Sequence, residues 1–271
     1  MSITIDAFGM TDRGKRRELN QDNFLIVEIN KSVSIHHSSL TPDAISGKLG
    51  SAGGHLFVVA DGVGGGPEGE RASEDAIRAL LEYVARTVGC FNSLSPVNED
   101  ELFARLEKSV RGVHESLLET AGPGKQGPAT TLTMVLLIWP RAYLVHVGDS
   151  RAYVRRNGKS QMLTRDQTLA EYMMNVGAWT EEQAASSRPG ATLMSAVGGP
   201  NFEPVVGLVD LEPGDSIMLC TDGLTKHVSD ERIASVLDQP EDAETMSRTL
   251  MNEALAGGGT DNVSVIVVRS S

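Results

Sequence analysis

The chain has 271 residues, enough for one large domain or two small ones whose core needs no disulfide or metal staple. Lys and Arg total 24 against 36 Asp and Glu, and the resulting net charge of −12 argues against a general nucleic-acid or anionic-membrane surface. Hydrophobic residues at 40% with aromatics at 4% exclude a disordered chain and describe an aliphatic core, while 28 glycines point to many tight turns.

Cys90 and Cys220 lie far apart, with no CxxC and no Cys/His cluster. Both read as core thiols in a reducing compartment, without a zinc site or disulfide framework. The start MSITIDAFGM lacks the basic flank and apolar stretch of a signal peptide, and the longest strongly apolar run, Met134 to Trp139, is too short to span a bilayer. The expectation is a soluble, cytoplasmic protein.

In chain order, residues 2–10 and 22–29 read as strands joined by the charged stretch TDRGKRRELNQ. Residues 30–54 turn polar and Gly/Ser-rich, as an inserted loop or extended hairpin tip; His36 and His37 within it read as solvated. LFVVA (Leu56 to Ala60) reads as a buried strand. Ala72, Ala76, Ile77, Leu80, Leu81, Val84 and Val88 keep helical spacing, and a second helix follows from an Asn98/Glu101 capping box through Leu102, Leu106, Val110, Val113 and Leu117. His114 beside that stripe reads as a helix-surface residue.

TLTMVLLI, AYLVHV, SRAYVRR and KSQMLT then form an expected antiparallel meander, with Asn157-Gly158 as a type I′ turn. Helical character returns over 166–190, with a second helix start at Thr180. SIMLC and NVSVIVV read as strands, and Ser229 to Leu237 and Asp242 to Ala256 as helices. No repeat or linker interrupts the order, so the expectation is one α+β domain over 1–271 built on stacked antiparallel sheets.

Three aspartates stand at strand ends: Asp61 in LFVVADG, Asp222 in IMLCTDG and Asp261 in TDNVSVIVV. One Asp-Gly pair alone is an ordinary turn, but three strand-end carboxylates place hard oxygen ligands on a rigid scaffold, as Mg²⁺ or Mn²⁺ requires. Asp149 in VHVGDSR and Asp22 in NQDNF share the pattern, and Arg13, Lys15, Arg16 and Arg17 are the strong cations near them in sequence. Acidic metal ligands beside an arginine suit a phosphate ester. GVGGGPEGE has neither P-loop nor dinucleotide spacing, and no GxSxG elbow is present.

TDRGKRRELNQD, VVADGVGG, GPATTL, VHVGDSRAY, LTRDQT, SAVGG, CTDGL and GGTDNVSVIVV, in this order from about Asp6 to Val268, resemble the metal-dependent serine/threonine phosphatases of the protein phosphatase 2C fold, most of all the compact bacterial type. The resemblance implies a β-sandwich of two antiparallel sheets flanked by helix pairs, with a flap over 166–192 that influences substrate selection. It implies two Mn²⁺ or Mg²⁺ ions per chain and a third, weaker one. Asp61 would bridge two metals, the Gly62 carbonyl would bind one, and Asp222 and Asp261 would complete the other. Asp22 would act through water, Arg17 would hold the substrate phosphate, and Asp149 with Asp222 would take the third ion.

The implied reaction is hydrolysis of phosphoserine or phosphothreonine by in-line attack of a metal-bridging hydroxide. Phosphoproteins would be the substrates of a monomeric enzyme paired with a cognate kinase. A non-catalytic phosphoprotein-binding module and a small-molecule phosphatase are the alternatives. Gln21, Val63, Gly66 and Gln167 depart from the family pattern; Val63 removes an imidazole acid, leaving the leaving-group proton to water.

Overall fold

The computed structural model describes residues 3–29, 54–64, 67–88, 99–120 and 127–271. His36, His37, Gly66, Cys90, Asn98, nearly all of the expected insertion, and the side chains of Val84 and Val88 lie outside that description.

Strand β3 (Gly54–Val63) shows how the sequence dictates layers. Its residues 56 to 60 are all fully buried, and successive side chains point to opposite faces. Leu56, Val58 and Ala60 pack with helices α1 (Pro67–Val88) and α2 (Glu99–Thr120), through Ala76, Leu80, Leu102, Leu106 and Val110. Phe57 and Val59 pack on the other side with Ile217, Leu219, Ile266 and Val268. A strand apolar on both faces must lie between two layers.

That second layer is a sheet of order β1 (Ile5–Asp12), β11 (Val263–Ser270), β10 (Ser216–Cys220), β7 (Arg151–Arg156), β8 (Lys159–Met162). Its outer face carries Val263, Val265 and Val267 against α6 (Asp230–Leu237) and α7 (Ala243–Ala256). The first sheet runs β2 (Asp22–Ile29), β3, β5 (Leu132–Ile138), β6 (Arg141–Val147), β9 (Val205–Asp210), with β4 (Ala129–Thr130) on β3. All named pairings are antiparallel, and the layers run helices, sheet, sheet, helices. This is the expected α+β sandwich.

Three readings change and a fourth is sharpened. The single meander is two hairpins: β5 and β6 belong to one sheet and β7 and β8 to the other, and the chain crosses between them at Gly148 to Ser150. Strand β9 carries no clear sequence signal because four of its six residues are exposed and its VVGLVD pattern lacks clean alternation. The one-turn helix α5 (Asp222–Thr225) is too short to show a period. His114 lies at the helix surface half-buried, not free: its Nδ1 accepts the Gly198 N–H at 3.0 Å, and its ring stacks on Phe202 at 4.2 Å, clasping α2 to the SAVGG turn.

The Asn157-Gly158 turn has positive φ at both residues (50° and 77°), as type I′ demands. Thr180 and Gln183 form a capping box at α4 (Glu181–Ser186), which follows α3 (Leu169–Asn175) in the flap segment. Among the described residues no helix is long and apolar enough to cross a membrane.

Candidate active site

The same alternation that builds the core delivers carboxylates to one end of it. Asp61 shares strand parity with Phe57 and Val59, so it continues the face between the sheets beyond the last apolar residue. Asp22 shares parity with Phe24 and Ile26, which also pack between the sheets, and stands directly opposite Asp61 in the β2–β3 ladder. Asp22 is 3% exposed, and its Oδ2 accepts the hydroxyls of Thr221 (2.7 Å) and Ser264 (2.9 Å) from the opposite sheet. One carboxylate thus ties the two sheets together at this end of the sandwich.

Each neighbouring loop is fixed by backbone bonds. Thr131 Oγ1 accepts the Asp61 N–H at 3.0 Å and the Thr130 hydroxyl donates to the Asp61 carbonyl at 2.9 Å, which explains the threonine pair in GPATTL. A Cβ on Gly62 would come within 2.1 Å of the Gly69 carbonyl, so only glycine lets β3 pass this close to the first turn of α1. A Cβ on Gly223 would meet the Asn262 carbonyl at 1.8 Å, so α5 packs against the Asp261-Asn262 segment on the same condition. Gln167 clamps the Asp149 turn, accepting the Gly148 N–H and donating to the Glu203 carbonyl, both at 2.8 Å.

Arg17 enters from the charged connection. Asn262 holds that connection by donating to the Arg13 and Leu19 carbonyls at 2.8 Å and accepting the Gln21 N–H at 2.9 Å. Arg17 then grips Asp261 with two prongs, Nε to Oδ1 at 2.7 Å and Nη2 to Oδ2 at 2.9 Å. Its guanidinium also feels Asp61 and Asp222. A second cation meets the same group: Lys226 Nζ lies 2.6 Å from Asp222 Oδ2 and 2.7 Å from Asp261 Oδ2.

Burial is the first cause of raised carboxyl pKa values here, with neighbouring carboxylates adding to it. Asp22 is pushed up to about 7, opposed by its Thr221 and Ser264 bonds. Asp149 is pushed up to about 7 as well, with Asp222 and Asp166 as the repelling neighbours. Asp61 is raised strongly by burial and then by Asp22, Asp222, Asp149 and Asp261. Asp222 is raised by burial against the pull of Lys226. At Asp261 burial also pushes upward, but Arg17 and Lys226 outweigh it and hold the carboxyl below its ordinary range.

Among the described residues, no three His, Cys, Asp or Glu side chains close on one point as a finished cage. The two cations account for part of this, since they engage both oxygens of Asp261 and one of Asp222. Two carboxylate oxygens nevertheless stay buried with no hydrogen-bond partner, Asp22 Oδ1 and Asp222 Oδ1. Leaving such acceptors bare is costly, and an all-oxygen set suits Mg²⁺ or Mn²⁺. The residues present therefore fit divalent ions.

Asp22, Asp61, Asp149, Asp222 and Asp261 are linked by mutual electrostatic influence, and Arg17 joins them through Asp261. Gly62 lies next to Asp61, its N–H donating to the Gln21 carbonyl at 3.1 Å. Sequence reasoning missed Lys226 and Asn262. Lys226 stands four residues after Asp222, a spacing that would have shown it had α5 been recognised. Asn262 carried no signal, because its partners are carbonyls far away in sequence.

The architecture is a two-sheet sandwich with five carboxylates and an arginine gathered at one end. The protein-family model described as Protein phosphatase 2C matches residues 33–257, and the chain belongs to that family. It is 37% identical over 218 residues to the serine/threonine protein phosphatase PstP of Mycobacterium tuberculosis, a match covering 80% of this chain and 40% of that protein. The chain thus spans about two fifths of the length of that curated relative. The serine/threonine phosphatase of S. agalactiae superimposes with a TM-score of 0.81 at 28% identity, covering 99% of both chains. The catalytic domain of PstP in complex with two manganese ions superimposes with a TM-score of 0.75 at 31% identity, again covering 99% of both.

Proposed function

We infer that this chain is a metal-dependent hydrolase of phosphoserine and phosphothreonine in proteins, with Asp22, Asp61, the Gly62 carbonyl, Asp222 and Asp261 as the set that holds two ions, Asp149 beside it where a third could sit, and Arg17 as its phosphate grip. The observation that carries the reading is the pair of buried, unpartnered oxygens on Asp22 and Asp222, in a cluster of carboxylates whose burial and mutual repulsion call for cations. Divalent ions held there would supply Lewis acidity toward a phosphoryl oxygen and acidify water near neutral pH.

The chain's own residues do the rest. Thr221 and Ser264 orient Asp22 so that one oxygen is held and the other left free. Arg17 presents a planar fork matched to non-bridging phosphate oxygens. Val63, 37% exposed, offers no proton to the leaving alkoxide. A cysteine-nucleophile phosphatase does not fit Cys220, which is fully buried with its thiol pushed up to about 12 by burial. A module that only binds phosphoproteins would have no use for repelling buried carboxylates, which weaken the metal-free fold.

The test is hydrolysis of p-nitrophenyl phosphate and a phosphothreonine peptide in EDTA and after Mn²⁺ addition. Activity on both substrates that disappears in EDTA and returns with Mn²⁺ is expected; full turnover without metal, or a phosphorylated enzyme residue, would overturn the mechanism. Activity on the small ester alone would favour a small-molecule phosphatase.

The flap segment carries the substrate preference in this reading. Neither α3 nor α4 buries a residue, and Tyr172 and Val176 are more than half exposed. Below α3 lies a cavity of about 590 Å³ lined by His146, Arg165, Asp166, Glu171, Tyr172 and Glu203 among others. Arg151 anchors the flap base by a two-pronged pair with Asp166, at 2.9 and 2.8 Å. Tyr172→Ala is expected to lower kcat/KM for the phosphopeptide by about fivefold, the worth of roughly 1 kcal/mol at an aromatic contact. p-Nitrophenyl phosphate turnover should stay within twofold of wild type; equal losses on both substrates would make the segment merely structural.

A further inference from the structure

Lys226 stands inside the carboxylate cluster without a part in the reaction assigned to it. It caps α5 one turn after Asp222, and its ammonium bridges Asp222 Oδ2 (2.6 Å) and Asp261 Oδ2 (2.7 Å). Asp149 lies within its electrostatic reach. The two contacts hold the ammonium between Asp222 and Asp261. A compact ammonium with three donors can serve carboxylates on several sides at once, which a planar guanidinium cannot.

The consequence follows from charge balance. Five aspartates meet at this end of the sandwich, and Arg17 and Lys226 return two positive charges. Three negative charges remain. Two divalent ions already exceed that by one, a surplus suited to an incoming phosphate dianion, whereas a third would add two more positive charges beside a fixed ammonium. In a partly desolvated site, like charges a few ångströms apart repel strongly. Geometry agrees: Lys226 covers Asp222 Oδ2 and leaves only Oδ1 bare, so one oxygen of Asp222, not two, stays open to metal.

We propose that Lys226 is a built-in cation of the metal centre, taking the Asp222 Oδ2 position by a tethered ammonium so that the chain binds two divalent ions and no third. The proposal rests on the reading of the cluster as a metal centre. It makes Lys226 a charge-balancing residue: the part of the cluster beside Asp149 carries its positive charge permanently, whatever the supply of metal in the medium. The same contact competes for Asp261 Oδ2, so Lys226 also sets how tightly the second ion is held.

The experiment is Mn²⁺ titration of the full chain by calorimetry and equilibrium dialysis, into the millimolar range, for wild type, Lys226→Arg, Lys226→Ala and Lys226→Asp. Wild type and Lys226→Arg should take two ions. Lys226→Ala and Lys226→Asp should take a third, weaker one, and in Lys226→Ala the second ion should bind about tenfold tighter, the worth of one charge-assisted contact. Melting in EDTA reports the same contact without any metal: Lys226→Ala should melt below wild type, because Asp222 and Asp261 lose their shared cation. If Lys226→Ala does not fold, wild type against Lys226→Asp decides. A third ion in wild type as tight as in the variants, or two ions in every protein, overturns the role of Lys226 and leaves the metal centre standing. No Mn²⁺ in any of the four overturns both.

Discussion

Asp61→Asn is expected to lower kcat by about 10³-fold or more and at the same time to raise the melting temperature of the metal-free protein. The first effect follows from the loss of a charged ligand at nearly constant shape, since metal stabilisation of transition-state charge is worth several kcal/mol and about 4 kcal/mol is roughly 10³-fold. The second follows from what opposes Asp61 without metal: burial first, then Asp22, Asp222, Asp149 and Asp261. A neutral amide removes that repulsion. A gain of about 1 kcal/mol would raise Tm by roughly 2–4 °C in a chain of this size.

The pH dependence carries the same sign. A carboxyl whose folded pKa is raised contributes stability fully present below its unfolded value and lost as pH rises through the folded one. Asp22 and Asp149, raised to about 7, place that loss between about pH 4 and 7; Asp61 and Asp222 act in the same direction. Asp261, lowered by Arg17 and Lys226 against burial, acts oppositely, and its contribution is lost only as pH falls below the ordinary carboxylate range. In EDTA the contribution of these groups should therefore fall as pH rises from acid to neutral, and less so in Asp61→Asn. Circular-dichroism melts with steady-state kinetics check both halves. Wild-type kcat at saturating Mn²⁺, or a lower metal-free Tm, would remove Asp61 from the centre.

The sequence announced what repeats locally and hid what closes over distance. Leu56 to Ala60 and NVSVIVV declared buried strands because apolar runs between turn residues have few other uses, and the Asp-Gly pairs declared their carboxylates because a strand end is a fixed launching point. That Asp61 faces inward follows from strand parity alone once Phe57 is known to lie between the sheets. That Asp22 stands opposite it does not, because the β2–β3 register is settled by contacts across a long connection. The crossing at Gly148 to Ser150 was hidden too: a tight turn looks the same whether the next strand joins its own sheet or the other. Asn262 illustrates the limit, since a side chain that organises residues 13 to 21 carries no local mark of doing so.

Arg17→Ala is the second large effect, and the structure sharpens what it should look like. The guanidinium is about half exposed and rests on Asp261 through two atoms, so it is already aimed at the cluster before a phosphate arrives. To grip a phosphate it must exchange Asp261 for the incoming oxygens, an exchange that a divalent ion held by Asp261 would favour. Losing a charge-assisted bond of this kind costs about 1.5–3 kcal/mol, so kcat/KM should fall roughly 10- to 150-fold, partly through KM. Lysine should recover only part, because a point charge lacks the fork. Mn²⁺ affinity should move the other way: relieved of one of its two cations, Asp261 should bind metal up to about fivefold tighter, a ceiling set by the ~1 kcal/mol that such exposed pairs are worth. Arg16→Ala, measured beside it by steady-state kinetics and calorimetry, should change neither quantity, since Arg16 lacks the Asp261 contact. A larger loss at Arg16, or falling Mn²⁺ affinity in Arg17→Ala, would mean that the Asp261 pair is a permanent strut and that another group holds the phosphate.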